Sequence, residues 1–141
     1  MLVRLMYCSR ASSGVDAEEL SLILRHSRQS NSEAGVTGML CCSDGLFIQV
    51  LEGGREAVNR LYNRIANDRR HTDVTLLVYE EVSQRRFAGW TMGQVNLARI
   101  NTALLLKYSE RASLDPYSVS GSATMALFEE LLTTASVMGD R

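Results

Sequence analysis

The chain has 141 residues, 45% apolar and 22% charged, which suits one globular domain with a modest appendage and excludes the disordered class. Its 15 basic and 16 acidic side chains leave a formal net charge of -1, without the basic excess that nucleic-acid binding leaves, so no direct nucleic-acid partner is expected. No apolar run approaches the roughly 20 residues of a membrane span, and Arg4 and Arg10 lie inside an alternating stretch rather than ahead of an apolar segment. No membrane association is expected, and the expected location is the cytoplasm.

Residues 2–9 alternate, with Val3, Leu5, Tyr7 and Ser9 on one side and Arg4, Met6 and Cys8 on the other, the period of a strand. Ser12, Ser13, Gly14 and Asp16 break it, and Asp16 is placed to cap the next helix. In that helix Leu20, Ile23, Leu24, Ser27 and Asn31 share a face that begins apolar and turns polar before Gly35. Residues 36–42 and 46–52 form two strands joined by Ser43-Asp44-Gly45, a strong hairpin signal, with Phe47, Gln49 and Leu51 on one face. After Gly53-Gly54 a second helix over about 55–68 carries Val58, Leu61, Tyr62 and Ile65 as its stripe. Residues 74–82 read as a fourth strand. The polar run 84–89 leads into Trp90-Thr91-Met92, where Trp90 and Met92 are expected to share a strand face.

This order predicts an α+β, ferredoxin-like βαββαββ sheet with antiparallel hairpins and two helices on one face, over residues 1–95. Residues 96–141 form a C-terminal helical extension with helices near 97–108 and 123–137, split by Leu114-Asp115-Pro116 and the Ser/Gly stretch at 118–122. Its stripe of Phe128, Leu131, Leu132 and Ala135 suits packing on the free sheet face better than docking a partner. Cys8, Cys41 and Cys42 form no C-x-x-C pair, and adjacent strand residues point to opposite faces, so free thiols and no metal are expected.

Polar side chains stand where the pattern demands apolar ones. Tyr7 and Gln49 lie on the helix-facing side of their strands, and Asn31 extends the buried face of the first helix. A buried phenol or amide without a partner costs roughly 1–3 kcal/mol. Such groups either satisfy one another or converge on a ligand, and periodicity alone does not choose.

Arg4-Leu5-Met6-Tyr7-Cys8-Ser9-Arg10 resembles the opening strand of BLUF domains, the photoreceptors named for blue-light sensing using FAD. Gly35-Val36-Thr37-Gly38-Met39-Leu40, Phe47-Ile48-Gln49-Val50-Leu51-Glu52-Gly53, Asp68-Arg69-Arg70-His71 and Phe87-Ala88-Gly89-Trp90-Thr91-Met92 are similar to four further motifs of that family, in order, over about residues 2–95. The resemblance implies a noncovalent flavin between the two helices, FAD first, with FMN and riboflavin as alternatives. It makes Tyr7 the photoactive tyrosine, Gln49 the switching glutamine and Asn31 an anchor for the flavin ring edge, beside Ser27. Ile23 and Ile65 would sandwich the ring, and Arg64, Asp68, Arg70 and His71 would hold the ribityl and phosphate end. Arg64 and Asp68 could equally be an ordinary i,i+4 pair. Ser30 stands before Asn31 where many relatives carry a longer polar side chain, and His26 has no motif counterpart.

The resemblance further implies that Tyr7 gives an electron and then a proton to the photoexcited flavin, after which the Gln49 amide ends rotated or tautomerised. Trp90 and Met92 are the implied relay, with the one beside Gln49 left open. A photosensor of this kind turns over no substrate, and its signal would pass to a downstream protein or through a homo-oligomer. The alternatives are a ferredoxin-like interaction module without flavin and a small acylphosphatase-like hydrolase, although no loop here sets Arg and Asn around a phosphate.

Overall fold

A computed structural model of the chain describes residues 1–12, 17–96 and 99–133. Five strands form one sheet in the order β4-β1-β3-β2-β5: β1 (Leu2–Ala11), β2 (Thr37–Ser43), β3 (Leu46–Gly54), β4 (His71–Val82) and β5 (Gly93–Asn96). Helix α1 (Ala17–Ala34) follows β1 and α2 (Arg55–Ala66) follows β3. Gly35 ends α1 at φ 73°, the left-handed conformation that glycine adopts without strain. The β2–β3 hairpin turns on Asp44 and Gly45, both at positive φ, as the Asp-Gly signal predicts.

Two expectations are corrected. β5 does not pair with β4: it crosses the sheet and lies parallel to β2, with Met39 opposite Gly93. Trp90 and Met92 precede β5 instead of sharing a strand face, in a segment tied to β2 by the Gly38 N–H donating to the Trp90 carbonyl. A side chain at Gly38 would place its Cβ 1.9 Å from the Val50 carbonyl oxygen, so only glycine allows that approach.

Strand parity divides the core in two. Val3, Leu5, Tyr7, Phe47, Leu51, Val58 and Met92 cluster on the face covered by α1 and α2, here the helix face. Met6, Cys8, Met39, Cys41, Ile48, Val50 and Phe87 cluster on the other. The extension covers this second face, as expected: Ile100, Leu105 of α3 (Thr102–Tyr108), and Met125, Leu127, Phe128 and Leu131 of α4 (Gly121–Leu131) join its core. Asn101 and Ser120 cap α3 and α4 through their side chains. Leu132 packs partly buried against this core, whereas Ala135 and the expected cap Asp16 lie outside the described residues, as do Leu97 and the side chains of Leu20 and Leu24. Cys41 is buried on the tail face and Cys42 packs against the helix-face core, so adjacent thiols point apart as expected. Among the described residues no helix is long and apolar enough to cross a membrane, and no cluster of metal-ligating side chains occurs.

Candidate functional site

The sheet register brings Tyr7 and Gln49 together. They are direct partners across β1 and β3, and on one sheet face their side chains must meet. The Tyr7 hydroxyl donates to Gln49 Oε1, and Gln49 Nε2 donates to Met92 Sδ at 3.3 Å. All three side chains are buried, with Met92 at 0% exposure, and Met92 is a direct neighbour of Gln49. Burial pushes the Tyr7 phenol well above the ordinary tyrosine range, and it is a neutral donor at any physiological pH. The half-buried Tyr62 of α2 stands beside it, with ring centroids 5.7 Å apart.

Above this chain a cavity of about 250 Å³ opens between α1 and α2. Its α1 wall is Ile23, Ser27 and Asn31, with His26 and Ser30, and its α2 wall is Leu61, Arg64 and Ile65. Tyr7, Leu40, Phe47 and Gln49 rise from the sheet. Asp68, Arg70 and His71 line the end where α2 passes into β4. Every residue expected to hold a cofactor therefore lines one cavity. Asn31 is 2% exposed and its Nδ2 has no partner, an orphaned donor in the cavity wall. A planar heteroaromatic with carbonyl acceptors fits this arrangement: aliphatic side chains from both helices flank the space, and an amide donor waits at its edge. Flavin meets both requirements.

The polar end differs from expectation in one pairing. Asp68 binds Arg70, with Nη2–Oδ2 at 2.6 Å, and not Arg64. The Arg70 hydrogen bonds hold the Asp68 carboxyl below its ordinary range and raise the Arg70 guanidinium, which leaves Arg64 exposed at the cavity wall. His71 opens β4, its Nδ1 lies 2.8 Å from Ser9 Oγ and its ring tilts against Phe47. Burial lowers the His71 pKa, which favours the neutral ring.

His26 has no motif counterpart, yet Ile23, His26, Ser27, Ser30 and Asn31 follow the i, i+3, i+4, i+7, i+8 spacing of one helical stripe, a signal present in the sequence. Also unforeseen is an ion cluster on the opposite face, in which Arg4 and Glu52 are buried and Glu80 is exposed. Arg4 Nε meets Glu52 Oε2 at 2.8 Å and Arg4 Nη1 meets Glu80 Oε1 at 2.8 Å.

A ferredoxin-like sheet with a tyrosine–glutamine pair under an interhelical cavity is the frame of a small α+β protein suited to flavin. The chain belongs to the BLUF family, sensors of blue-light using FAD, whose pattern matches residues 2–93. Over 92 residues it is 39% identical to photoactivated adenylate cyclase subunit beta of Euglena gracilis, covering 64% of this chain and 11% of that protein. The chain thus spans about a tenth of the length of the first curated relatives it matches. The structure of BlsA in its photo-activated state superposes with a TM-score of 0.86 at 28% identity, covering 99% of this chain and 100% of that one. The dark-state structure of BlrB, a BLUF protein, gives 0.78 at 29%, covering 93% and 94%. BLUF domains bind flavin, and the family is one of blue-light sensors, which sets the hydrolase alternative aside.

Proposed function

We propose that blue light acts in this chain through Tyr7 and Gln49, with FAD as the bound flavin, and that residues 1–95 receive the signal and residues 96–141 pass it to a downstream protein or a second copy. The observation that carries this is the continuous hydrogen-bond chain Tyr7–Gln49–Met92 at the cavity floor, beside the unpartnered amide of Asn31. Asn31 would hold the ring edge, Ile23 and Ile65 its two faces, and Ser27 the adjacent wall. Arg64, Arg70 and His71 offer donors for a diphosphate, with the Asp68 charge already engaged by Arg70.

When bound, flavin supplies the absorption of blue light and an acceptor for one electron. Tyr7 is suited to donate it, because an oxidised phenol becomes strongly acidic and its proton already points along a hydrogen bond to Gln49 Oε1. Gln49 carries donor and acceptor at opposite ends of one amide. Rotation turns Nε2 toward Tyr7 and Oε1 toward Met92, with almost no displacement of mass. A thioether accepts weakly and cannot donate, so Met92 rewards the resting orientation and gives nothing to the rotated one. That asymmetry supplies a physical reason for return in darkness.

The test is the light-minus-dark spectrum of Gln49→Leu. The variant keeps its flavin and loses the reversible red shift expected when the reoriented Gln49 amide donates to the flavin. A parental shift in a flavin-loaded Gln49→Leu protein overturns the role of the amide, and flavin released from the parent and resolved by chromatography identifies FAD, FMN or riboflavin.

A further inference from the structure

The acceptor that selects the resting amide, Met92, is delivered by residues 83–92, a strap that has no strand partners until β5 begins at Gly93. The strap is anchored at Arg86 and Phe87 by Glu52 of β3. The Glu52 side chain is 0% exposed, and its two oxygens take the Phe87 N–H at 2.6 Å, the Arg86 N–H at 3.0 Å and Arg4 Nε at 2.8 Å. A buried carboxylate facing two backbone donors and one guanidinium fixes a loop in one place, because no neutral side chain of that shape presents two acceptor oxygens. The Phe87 side chain is sealed in the tail-face core at 0% exposure. From that anchor the chain turns, with the Trp90 N–H donating to the Phe87 carbonyl at 3.1 Å, and reaches Met92, whose carbonyl accepts from Arg28 Nε at 3.3 Å. Glu52 and Gln49 sit three positions apart on the one strand β3, on opposite faces.

We propose that Glu52 is a positioning residue for the photoswitch: by anchoring the strap at Arg86 and Phe87 it seats the Met92 sulfur on the Gln49 amide and so sets how fast the light state returns. This rests on the role of Gln49 stated above and extends it to a residue on the far side of the sheet. Glu52→Gln puts an amide NH₂ against a backbone N–H, which releases one of the two ties and loosens the seat of Met92.

The experiment measures dark recovery after a blue pulse in Glu52→Gln, Met92→Leu and the double variant, each at matched flavin content and with its melting temperature. Recovery in Glu52→Gln slows about fivefold, the rate equivalent of ~1 kcal/mol, and the double variant recovers no more slowly than Met92→Leu alone, because Glu52 acts through Met92. A folded, flavin-loaded Glu52→Gln protein with unchanged or faster recovery overturns the proposal. So do effects that multiply in the double variant, which would make the anchor a general stabiliser. Should Glu52→Gln fail to fold, Arg85→Ala takes its place: it removes the strap's tie from Arg85 Nη1 to Thr37 Oγ1 at 3.0 Å. Slowed recovery that is absent in the Met92→Leu background supports the proposal, and parental recovery overturns it. A Gln49→Leu protein that still shifts removes the underlying switch and is seen separately from either result.

Discussion

The two faces of the sheet are built from the same strands and differ in what they leave open. On the tail face Met6, Met39, Ile48, Val50, Phe87 and Phe128 close into a core, and the buried Arg4 and Glu52 beside it are bonded to each other and to neighbouring protein groups. On the helix face Tyr7, Gln49 and Asn31 interrupt the apolar pattern, a cavity separates the helices and the Asn31 amide lacks a partner. One face is finished by the polypeptide, whereas the other is completed by something the chain does not encode. Stability is therefore concentrated behind the sheet and function in front of it, and substitutions should separate accordingly.

The sharpest separation comes from Phe128→Ala. Removing a wholly buried phenyl ring from the tail-face core costs about 3–5 kcal/mol, seen as a lower unfolding midpoint in denaturant, while the folded fraction keeps its flavin spectrum and photoshift. A Phe128→Ala protein of parental stability would mean that α4 contributes little to the core. Asn31→Leu reverses the pattern. It removes a donor that has no protein partner, so the flavin-free chain stays within about 1 kcal/mol of the parent, while flavin binding weakens by roughly tenfold, the worth of one hydrogen bond. Equal affinity by titration would take Asn31 out of the site.

A smaller effect joins the two faces. An amide reorientation worth ~1 kcal/mol can shift a marginally docked segment about fivefold, and hydrogen exchange in darkness and under blue light should show it in the extension after residue 96. Unchanged protection there, alongside a normal spectral shift, would place the output surface on the sheet and its two helices. The smallest effect is electrostatic. Burial holds the His71 pKa below its ordinary 6.5 in the folded chain, so the unfolded chain takes up the proton more readily. The stability tied to neutral His71 is full above pH 6.5 and is lost as pH falls from there toward the lowered folded value. Melting temperatures should decline over that interval, and His71→Gln should flatten the decline. An identical slope in the variant would assign it elsewhere.

What was readable in the sequence follows the range of the interactions. Strand parity in residues 2–9, the Asp-Gly turn and the two helical stripes are local, and they placed Tyr7, Gln49 and Asn31 on the correct faces. The resemblance supplied what parity could not, namely that those faces converge on one cavity. The parallel pairing of β5 with β2 was not readable, because strand partners remote in sequence are chosen by the whole sheet and not by the strand. Arg4 and Glu52 could each be assigned to the tail face, but their ion pair requires the β1–β3 register that makes them direct partners. The sequence does not choose between Met92 and Trp90 for a related reason: without a strand to fix its phase, the period of two does not apply to the strap.

The edge-to-edge crossing of residues 83–92 has a consequence for the order in which the molecule assembles. β4 and β5 are the two margins of the sheet, so the segment spans four strand spacings, about 19 Å at ~4.8 Å each. About ten residues reach at most ~33 Å when straight, and this segment also dips inward at Phe87 and turns before Met92. Those detours take up part of the difference. β5 pairs only with β2, from which it is separated by a long stretch of sequence. Pairings so distant in sequence close slowly. The thioether that selects the resting amide is thus among the last groups to arrive, and a nascent chain would assemble its tyrosine–glutamine pair before it acquires the contact that gives the pair a preferred direction.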